Sequence, residues 1–471
     1  MVDPGVLARI RAVLDPRSLI ETPEDIEPYL VDFRHLYRGR ASMVVRPGSV
    51  QELSALLGIC NEAGVGVVPQ GGNTGYCGGS VPDRSGDELV VSLSRLNKIR
   101  AVDPAGYSMT VEAGCVLAVI QNAAIAADRY FPLSLGAEGS CQIGGNLSTN
   151  AGGTAVLRYG MARDLVLGVE VVLSDGRVLN MLRSLRKDNT GYDLKSLFIG
   201  AEGTLGIITA ATLKLFPKVA RRATGFLALD SVDAGVKLLA LLRDVSADRM
   251  TACEIMSRRA LELVVKHIAG ARDVLDGPHP WYVLTELQSS SSDEDLDGLL
   301  EGALTKAVEL GLVADAIVAS SGTQRNSLWK LRESIPEAMA LEGAQIKHDV
   351  SVPIARISEF VQVATDWIHD VAPEARPVPF GHIGDGNLHF NISQPVSGDV
   401  SEFLRSAPGI ERGVHHIANS FGGSFSAEHG IGRYKTQELV RYRTPIELDV
   451  MRSLKYALDP RGIMNPGKVL A

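Results

Sequence analysis

Cysteine is scarce and unpatterned. The 471-residue chain has five, Cys60, Cys77, Cys115, Cys141 and Cys253, odd in number and scattered with no CxxC pair. That excludes a disulfide framework and a thiolate metal site, and the cysteines read as small buried hydrophobes. An excess of cations is also missing: 47 Lys and Arg against 55 Asp and Glu leave a formal charge of -8. A nucleic-acid partner is thereby disfavoured, because phosphate neutralisation needs a concentrated basic face. Any anionic substrate must be captured by a local positive site. No 18-residue apolar run occurs, so the chain is not read as transmembrane. The opening MVDPGVLARIRAVLDP carries Asp3, Asp15 and prolines where a secretory signal has a basic end and an apolar core. A cytoplasmic protein is the expectation. Neither GxGxxG nor GxxxxGK[ST] is present, which sets NAD and nucleoside triphosphates aside. Internal repeats are absent as well.

What is present is length, glycine and alternation. The length exceeds what one hydrophobic core usually supports, so two domains are expected. From about residue 40, MVVRP, the helical ELSALLGICNEAGV and GVGVVPQGG follow one another; LVVSL and YSMTVEAG read as strands and LAVIQNAAIAADRY as a helix. VLGVEVVLSDGRVLN places an Asp-Gly turn between two strands. Composition shifts near 217–222, where FPKVARR gives way to the helical VDAGVKLLALLRDVSADR. The expected layout is 1–218, 219–456 and a returning segment 457–471. The polar run SSSSDEDLDG ends a strand and caps the following helix.

Three glycine-rich segments lie in the first half: PQGGNTGYCGGSVP at 69–82, LGAEGSCQIGGNLSTNAGG at 135–153 and IGAEGTLGIIT at 199–209. Glycine lets successive amides point into one concavity that suits a pyrophosphate, and Asn73, Thr74, Asn146, Ser148, Thr149 and Asn150 add hydrogen-bonding groups. Glycine in any one such loop is as often only a turn residue. Three together point to a phosphate-bearing cofactor.

In the second half, VPFGHIGDGNLHFNIS (378–393) alternates around Asp385-Gly386, a combination that favours a two-residue hairpin turn. That register places His382 opposite His389, with Cβ atoms about 5 Å apart, able to chelate one divalent ion. In SFSAEHGIGR, Glu428 offers a third ligand and His429 a proton acceptor. Two His and one carboxylate leave coordination positions open, as a catalytic metal requires. A lone histidine is more often a hydrogen-bonded core or surface residue, but three in two glycine-bracketed motifs reverse those odds.

PQGGNTG, GGNLSTNAGG, GAEGTLGIIT and the ending DPRGIMNPGK resemble the FAD-linked members of the vanillyl-alcohol-oxidase superfamily, in the D-lactate and D-2-hydroxyglutarate dehydrogenase branch, from about residue 40 onward. The resemblance implies an α+β chain: a PCMH-type FAD-binding domain plus an antiparallel-sheet substrate (cap) domain with helices. FAD pyrophosphate contacts are implied for Pro69, Gln70, Gly71, Gly72, Asn73, Thr74 and Gly75. Contacts along the flavin are implied for Pro132, Gly136, Gly139, Ser140, Gly144, Gly145, Asn146, Ser148, Thr149, Asn150, Gly152 and Gly153. Glu202, Gly206, Ile207 and the returning Asn465 complete that set. The first loop has no histidine where some members attach FAD covalently, and the branch carries a GSC segment like that around Cys141 without attachment, so FAD is expected to be non-covalent.

The branch also carries GHxGDGNLH and AEHG. His382, His389 and Glu428 match its metal ligands, zinc before manganese or cobalt; His429 matches its base and a substrate contact, and Asn391 a further one. Arg332 in LWKLRESIPEA and Lys347 in IKHDVSVP match the cations that hold the substrate carboxylates, although such residues mostly face solvent. Four residues after Arg332 a Thr can contact the distal carboxylate in hydroxyglutarate enzymes, whereas this chain has Pro336. D-malate and D-lactate therefore stand beside D-2-hydroxyglutarate, and His348 lines the pocket or faces solvent. The implied partners are a small anionic 2-hydroxy acid and an electron acceptor such as an electron-transfer flavoprotein or quinone, with a homodimer as an option. Two rivals remain: an FAD-linked oxidase of an alcohol or sugar acid using oxygen, and a non-catalytic flavin redox sensor.

Overall fold

The computed structural model describes residues 1–397 and 399–470. They form two compact units: Met1–Gly153, Gly160–Lys218 and the chain from Glu428 onward make the first, and Thr154–Tyr159 with Val219–Ala427 the second. The C-terminal return is thus longer than the 457–471 segment read from the sequence. Its first anchors precede residue 457: Glu202 accepts hydrogen bonds from Ile431 N and Gly432 N, and Arg433 N donates to Cys77 O.

In the first unit, helix Val50–Ala63 starts where the Ser49 side chain accepts from Glu52 N and stops at Gly64, which turns left-handed at φ +69°. Its buried Leu53, Leu56, Leu57 and Cys60 recur at i, i+3, i+4 and i+7 and share a core with Val67, Leu89, Val91, Ile463 and Met464. Each fully buried Leu contributes about 1.5–3 kcal/mol. The helix accompanies a four-stranded sheet ordered Leu19–Ile20, Val44–Val45, Glu88–Ser92, Gly66–Gln70, whose last three strands are parallel. Beyond Gly66–Gln70 the C-terminal chain adds a parallel bridge: Val67 N donates to Ile463 O at 2.8 Å and Asn465 N to Val67 O at 2.8 Å. A five-stranded antiparallel sheet runs Ile99–Asp103, Ser108–Glu112, Ile207–Lys214, Val166–Val172, Val178–Asn180. Its last two strands are joined by the Asp175-Gly176 turn, with Gly176 at φ +86°.

The second unit is built on an eight-stranded antiparallel sheet, ordered Asp315–Val318, Arg221–Leu229, Trp281–Ser289, Met250–Ser257, Arg376–His382, Asn387–Ser393, Gln345–Ile346, with Val350–Ser351 also on Asn387–Ser393. Register fixes its faces. Leu227, Val283 and Ile255 lie on one face, in a core shared with helices Val232–Ser246, Leu296–Glu309, Ile357–Val371 and Val400–Ser420. Phe226, Leu284, Met256 and Phe380 lie on the other, in a core shared with helices Arg258–His267, Gly322–Glu333 and Ile335–Glu342. Both faces are covered, so these strands read as nearly continuous apolar runs. The helix Leu296–Glu309 is capped by Asp295, which accepts from Gly298 N at 2.9 Å. Among the described residues no helix is long and apolar enough to cross a membrane.

Candidate active site

The first unit holds an open cleft walled by its three glycine-rich segments. Gly66–Gln70 delivers the first loop into the cleft, and two side chains fix its shape. Gln70 Nε2 donates to Tyr29 O and Ser80 O, while Asn73, at φ +53°, donates to Val31 O and accepts from Ser80 Oγ at 2.7 Å. The second wall is helix Ile143–Ser148, where Ser148 Oγ bonds back to Gly144 O and Thr149 Oγ1 to Gly145 O. Two acceptors associated with this wall, Gln142 Oε1 and Asn146 Oδ1, are buried without a hydrogen bond among the described residues. Buried polar atoms ordinarily have partners, and these two suit the N–H and O–H groups of a flavin and its ribityl chain. Gly75 and Gly145 also line the cleft, and a Cβ built on either meets no atom within 4 Å. Space and unpartnered acceptors together fit an extended cofactor.

Other glycines serve packing. A Cβ on Gly72 would lie 2.2 Å from Ser140 O, on Gly144 2.7 Å from Ala113 Cβ and on Gly206 2.7 Å from Val171 Cγ1. Of the residues expected at the cofactor, Pro69 to Gly75, Gly144, Gly145, Asn146, Ser148, Thr149, Glu202 and Ile207 line the cleft. Pro132, Gly136, Gly139, Ser140, Asn150, Gly152, Gly153, Gly206 and Asn465 do not. Asn465 braces it: its Nδ2 donates to Gly79 O and Glu202 O, tying the first and third glycine-rich segments to the C-terminal chain. Cys141 lines the cleft, and burial pushes its thiol up, which disfavours a reactive thiolate. All five cysteines are buried and unbridged.

His429 also lines the cleft, with its ring stacked on Tyr76 at 4.5 Å and 17°. Tyr76 was not singled out from the sequence; its place beside a glycine-rich loop was the one available signal. Its hydroxyl is raised, chiefly by burial, and Phe33 packs edge-on at 5.6 Å. Glu202 grips the turn after His429 through Ile431 N and Gly432 N at 2.7 and 2.8 Å, and burial nevertheless lifts its carboxyl above the usual range. Glu428 accepts from Gly153 N at 2.8 Å, and Gly152 makes room, since a Cβ there would fall 2.3 Å from Glu428 Oε1.

In the second unit the hairpin register differs from the one counted on a two-residue turn. His382 pairs with Asn387 and His389 with Phe380, because residues 383–386 form the loop. Asp385 N and Gly386 N both reach back to His382 O, and only Gly386 adopts positive φ, +88°, whereas the two-residue turn favoured by Asp-Gly needs it at both central positions. The slip is two residues, so side-chain parity is kept. His382, His389 and Asn391 still share a face, the two imidazoles with ring centres 5.7 Å apart. His348 is a core residue: it is 1 % exposed, its Nδ1 lies 2.7 Å from Phe390 O and its ring meets His415 edge-on. Asn391 accepts from His348 N and Lys347 is half-buried.

Arg332, 7 % exposed, stands over the Phe380 ring at 5.0 Å, its Nε 2.8 Å from Glu254 Oε2. Glu254 Oε1 lies 2.7 Å from His382 Nδ1. Burial raises this carboxyl, but His382 and Arg332 outweigh it and hold it below the usual range. Glu254 was not singled out from the sequence; a charge inside the apolar strand MTACEIMS was the signal that could have found it.

A cleft walled by glycine-rich segments and carrying unpartnered acceptors, in a chain without either nucleotide fingerprint, suits an extended cofactor. Residues 41–182 match the FAD binding domain and residues 218–469 the C-terminal domain of FAD linked oxidases. The chain belongs to the FAD-linked oxidase family and is a flavin-dependent oxidoreductase. It is 38% identical over 469 residues to a mitochondrial D-2-hydroxyglutarate dehydrogenase of Arabidopsis thaliana, covering 100% of this chain and 82% of that one. It is 39% identical to a D-2-hydroxyglutarate dehydrogenase of Xanthomonas citri pv. viticola, covering 100% and 97%. Among solved structures, p-cresol methylhydroxylase with substrate bound superposes with a TM-score of 0.78 at 17% identity, covering 99% of this chain and 97% of that one. The fold is therefore the vanillyl-alcohol-oxidase type with α+β architecture. The cytoplasmic expectation is overturned: the relatives from Arabidopsis thaliana, Danio rerio and Bos taurus are named mitochondrial. The composition of the opening residues does not decide the compartment.

Proposed function

We propose that the chain oxidises a D-2-hydroxy acid to the corresponding 2-oxo acid, with D-2-hydroxyglutarate, D-malate and D-lactate as the candidate substrates. The observation that carries this reading is His429 in the wall of the cofactor cleft, in a chain whose full-length relatives are named for oxidising D-2-hydroxyglutarate. FAD, held non-covalently, would supply at N5 the acceptor for the substrate's Cα hydride. His382, His389 and Glu428 would hold a divalent metal, zinc by the N/O character of the set, which when bound would lower the pKa of the substrate hydroxyl.

The chain's own residues do the rest. His429 takes the hydroxyl proton as the hydride leaves, and Tyr76 keeps the imidazole plane fixed by stacking at 4.5 Å. Glu202 holds the following turn, so the base cannot swing with its loop. Arg332 receives a carboxylate with its planar fork, Lys347 adds a second cation, and Asn391 contributes the polar contact beside His389. Pro336 has no side-chain donor, so the distal carboxylate of hydroxyglutarate depends on the two cations. An electron-transfer flavoprotein or quinone would take up the electrons.

The test is anaerobic bleaching of the flavin absorbance by D-2-hydroxyglutarate, D-malate and D-lactate, each against its L-enantiomer, before and after chelation. Bleaching by a D-acid, lost on chelation and restored by zinc, is expected. Bleaching that survives chelation would remove the metal from the reading, and no bleaching by any hydroxy acid would move the oxygen-using oxidase ahead.

A further inference from the structure

One buried carboxylate of the second unit joins two groups that the proposed reaction uses separately. Glu254 is 1 % exposed and stands directly across from His382 in the register of the strands Met250–Ser257 and Arg376–His382. Its two oxygens are divided: Oε1 lies 2.7 Å from His382 Nδ1, and Oε2 accepts Nε of Arg332, which arrives from helix Gly322–Glu333 at 2.8 Å.

An ion pair made for stability has no need of this division. Arg and carboxylate pair most strongly through two parallel bonds, and a buried pair made in any other way is often matched by apolar packing. Here one oxygen meets one nitrogen, and the Nη atoms of Arg332 make no hydrogen bond to the described residues, which keeps the outer edge of the guanidinium for another carboxylate. On the histidine side, a carboxylate at Nδ1 selects the tautomer that carries its proton there, so Nε2 is the ring atom with the lone pair. The same anion thus sets which nitrogen of His382 can ligate and which edge of Arg332 can bind an acid.

We infer that Glu254 is a positioning residue that orients His382 toward a metal and Arg332 toward the substrate carboxylate through one shared, buried carboxylate. The inference rests on the proposed metal-assisted oxidation of a hydroxy acid. It adds that metal affinity and substrate affinity are coupled through a residue that touches neither.

The test uses the FAD-loaded full chain. Zinc affinity is measured by competition with a chromophoric chelator, and oxalate affinity in zinc-free protein by perturbation of the flavin spectrum. Glu254→Gln keeps the volume but turns its amide N–H groups against one of the two donors. The expected result is unchanged FAD content, a zinc dissociation constant raised about 10–100-fold and weaker oxalate binding. Arg332→Lys is the second variant, in case the first does not fold: it leaves the His382 contact in place and should weaken oxalate while keeping zinc within about twofold. Wild-type zinc and oxalate affinities in Glu254→Gln would overturn the inference and leave the proposed function standing. Equal loss of zinc in both variants would make the cluster a structural ion pair. A wild-type chain that binds no zinc would overturn the metal reading and this inference together.

Discussion

Gly145→Ala separates the role of glycine in packing from its role in cofactor binding. Gly145 lies within helix Ile143–Ser148, lines the cleft, and a Cβ added there meets nothing within 4 Å. In the cofactor-free chain the substitution is unstrained, and replacing a helical glycine by alanine gains about 0.5–1 kcal/mol. For a unit of this size that raises the melting temperature by roughly 1–4 °C. With FAD the sign reverses, because the new methyl occupies space the cofactor needs, and overpacking of one methyl costs about 1–3 kcal/mol. At 1.4 kcal/mol per factor of ten, FAD should bind roughly 5–150-fold more weakly. Fluorescence quenching of FAD titrated into apoprotein reads the affinity, and melting with and without FAD reads the stability. Gly72→Ala is the contrast, since its Cβ would lie 2.2 Å from Ser140 O and should destabilise the apoprotein itself. If Gly145→Ala binds FAD as tightly as the wild type, the cofactor does not pass along this helix.

His429→Asn should retain FAD and lower the rate of flavin reduction by hydroxy acid about 10²–10⁴-fold in anaerobic stopped flow, the range for removal of a general base; a wild-type rate would refute its role. Glu342 gives a pH test in the second unit. Hydrogen bonds from Lys266, His267 and Arg376 bring its carboxyl from 4.5 down to about 2, so its stabilising effect is complete above the unfolded value and fades as pH falls from 4.5 toward 2. Glu342→Gln should therefore melt below the wild type at pH 7, with a gap that narrows on acidification below 4.5; a gap independent of pH would refute the assignment.

Local chemistry was legible where the cause is local. The glycine-rich runs marked the cleft because its walls approach one another too closely for a Cβ at several positions, and Ser49, Asp295 and Gly176 each sit where caps and turns call for them. Which glycine faces a ligand and which faces a neighbouring chain was hidden: Gly144 and Gly145 are adjacent, yet one abuts Ala113 and the other open space. The histidine hairpin shows a different limit. An Asp-Gly pair suggested a two-residue turn, the loop proved to hold 383–386, and the shared face survived only because the slip was even. Glu254 showed only as a charge in an apolar strand; its pairing was hidden, as its partners lie 78 and 128 positions away in the chain. Asn465 was placed near the cofactor by its motif; that it also braces the cleft, through bonds to Gly79 O and Glu202 O, was not readable from the motif.

The insertion of one unit within the other has a consequence for biosynthesis. Val67 is bridged to Met464, and the Glu202 clamp waits for Ile431 and Gly432, so the first unit cannot close until the ribosome has made residues that follow the whole of the second. The second unit, whose large sheet is complete once residue 393 has emerged, is free to fold earlier. During that interval the glycine-rich loops are tethered at one end only, and the strand Gly66–Gln70 presents an open edge. Newly made chains should therefore pass through a stage in which one half is finished and the other is exposed to aggregation, and FAD supplied during translation should act late, as a trap for the closed form.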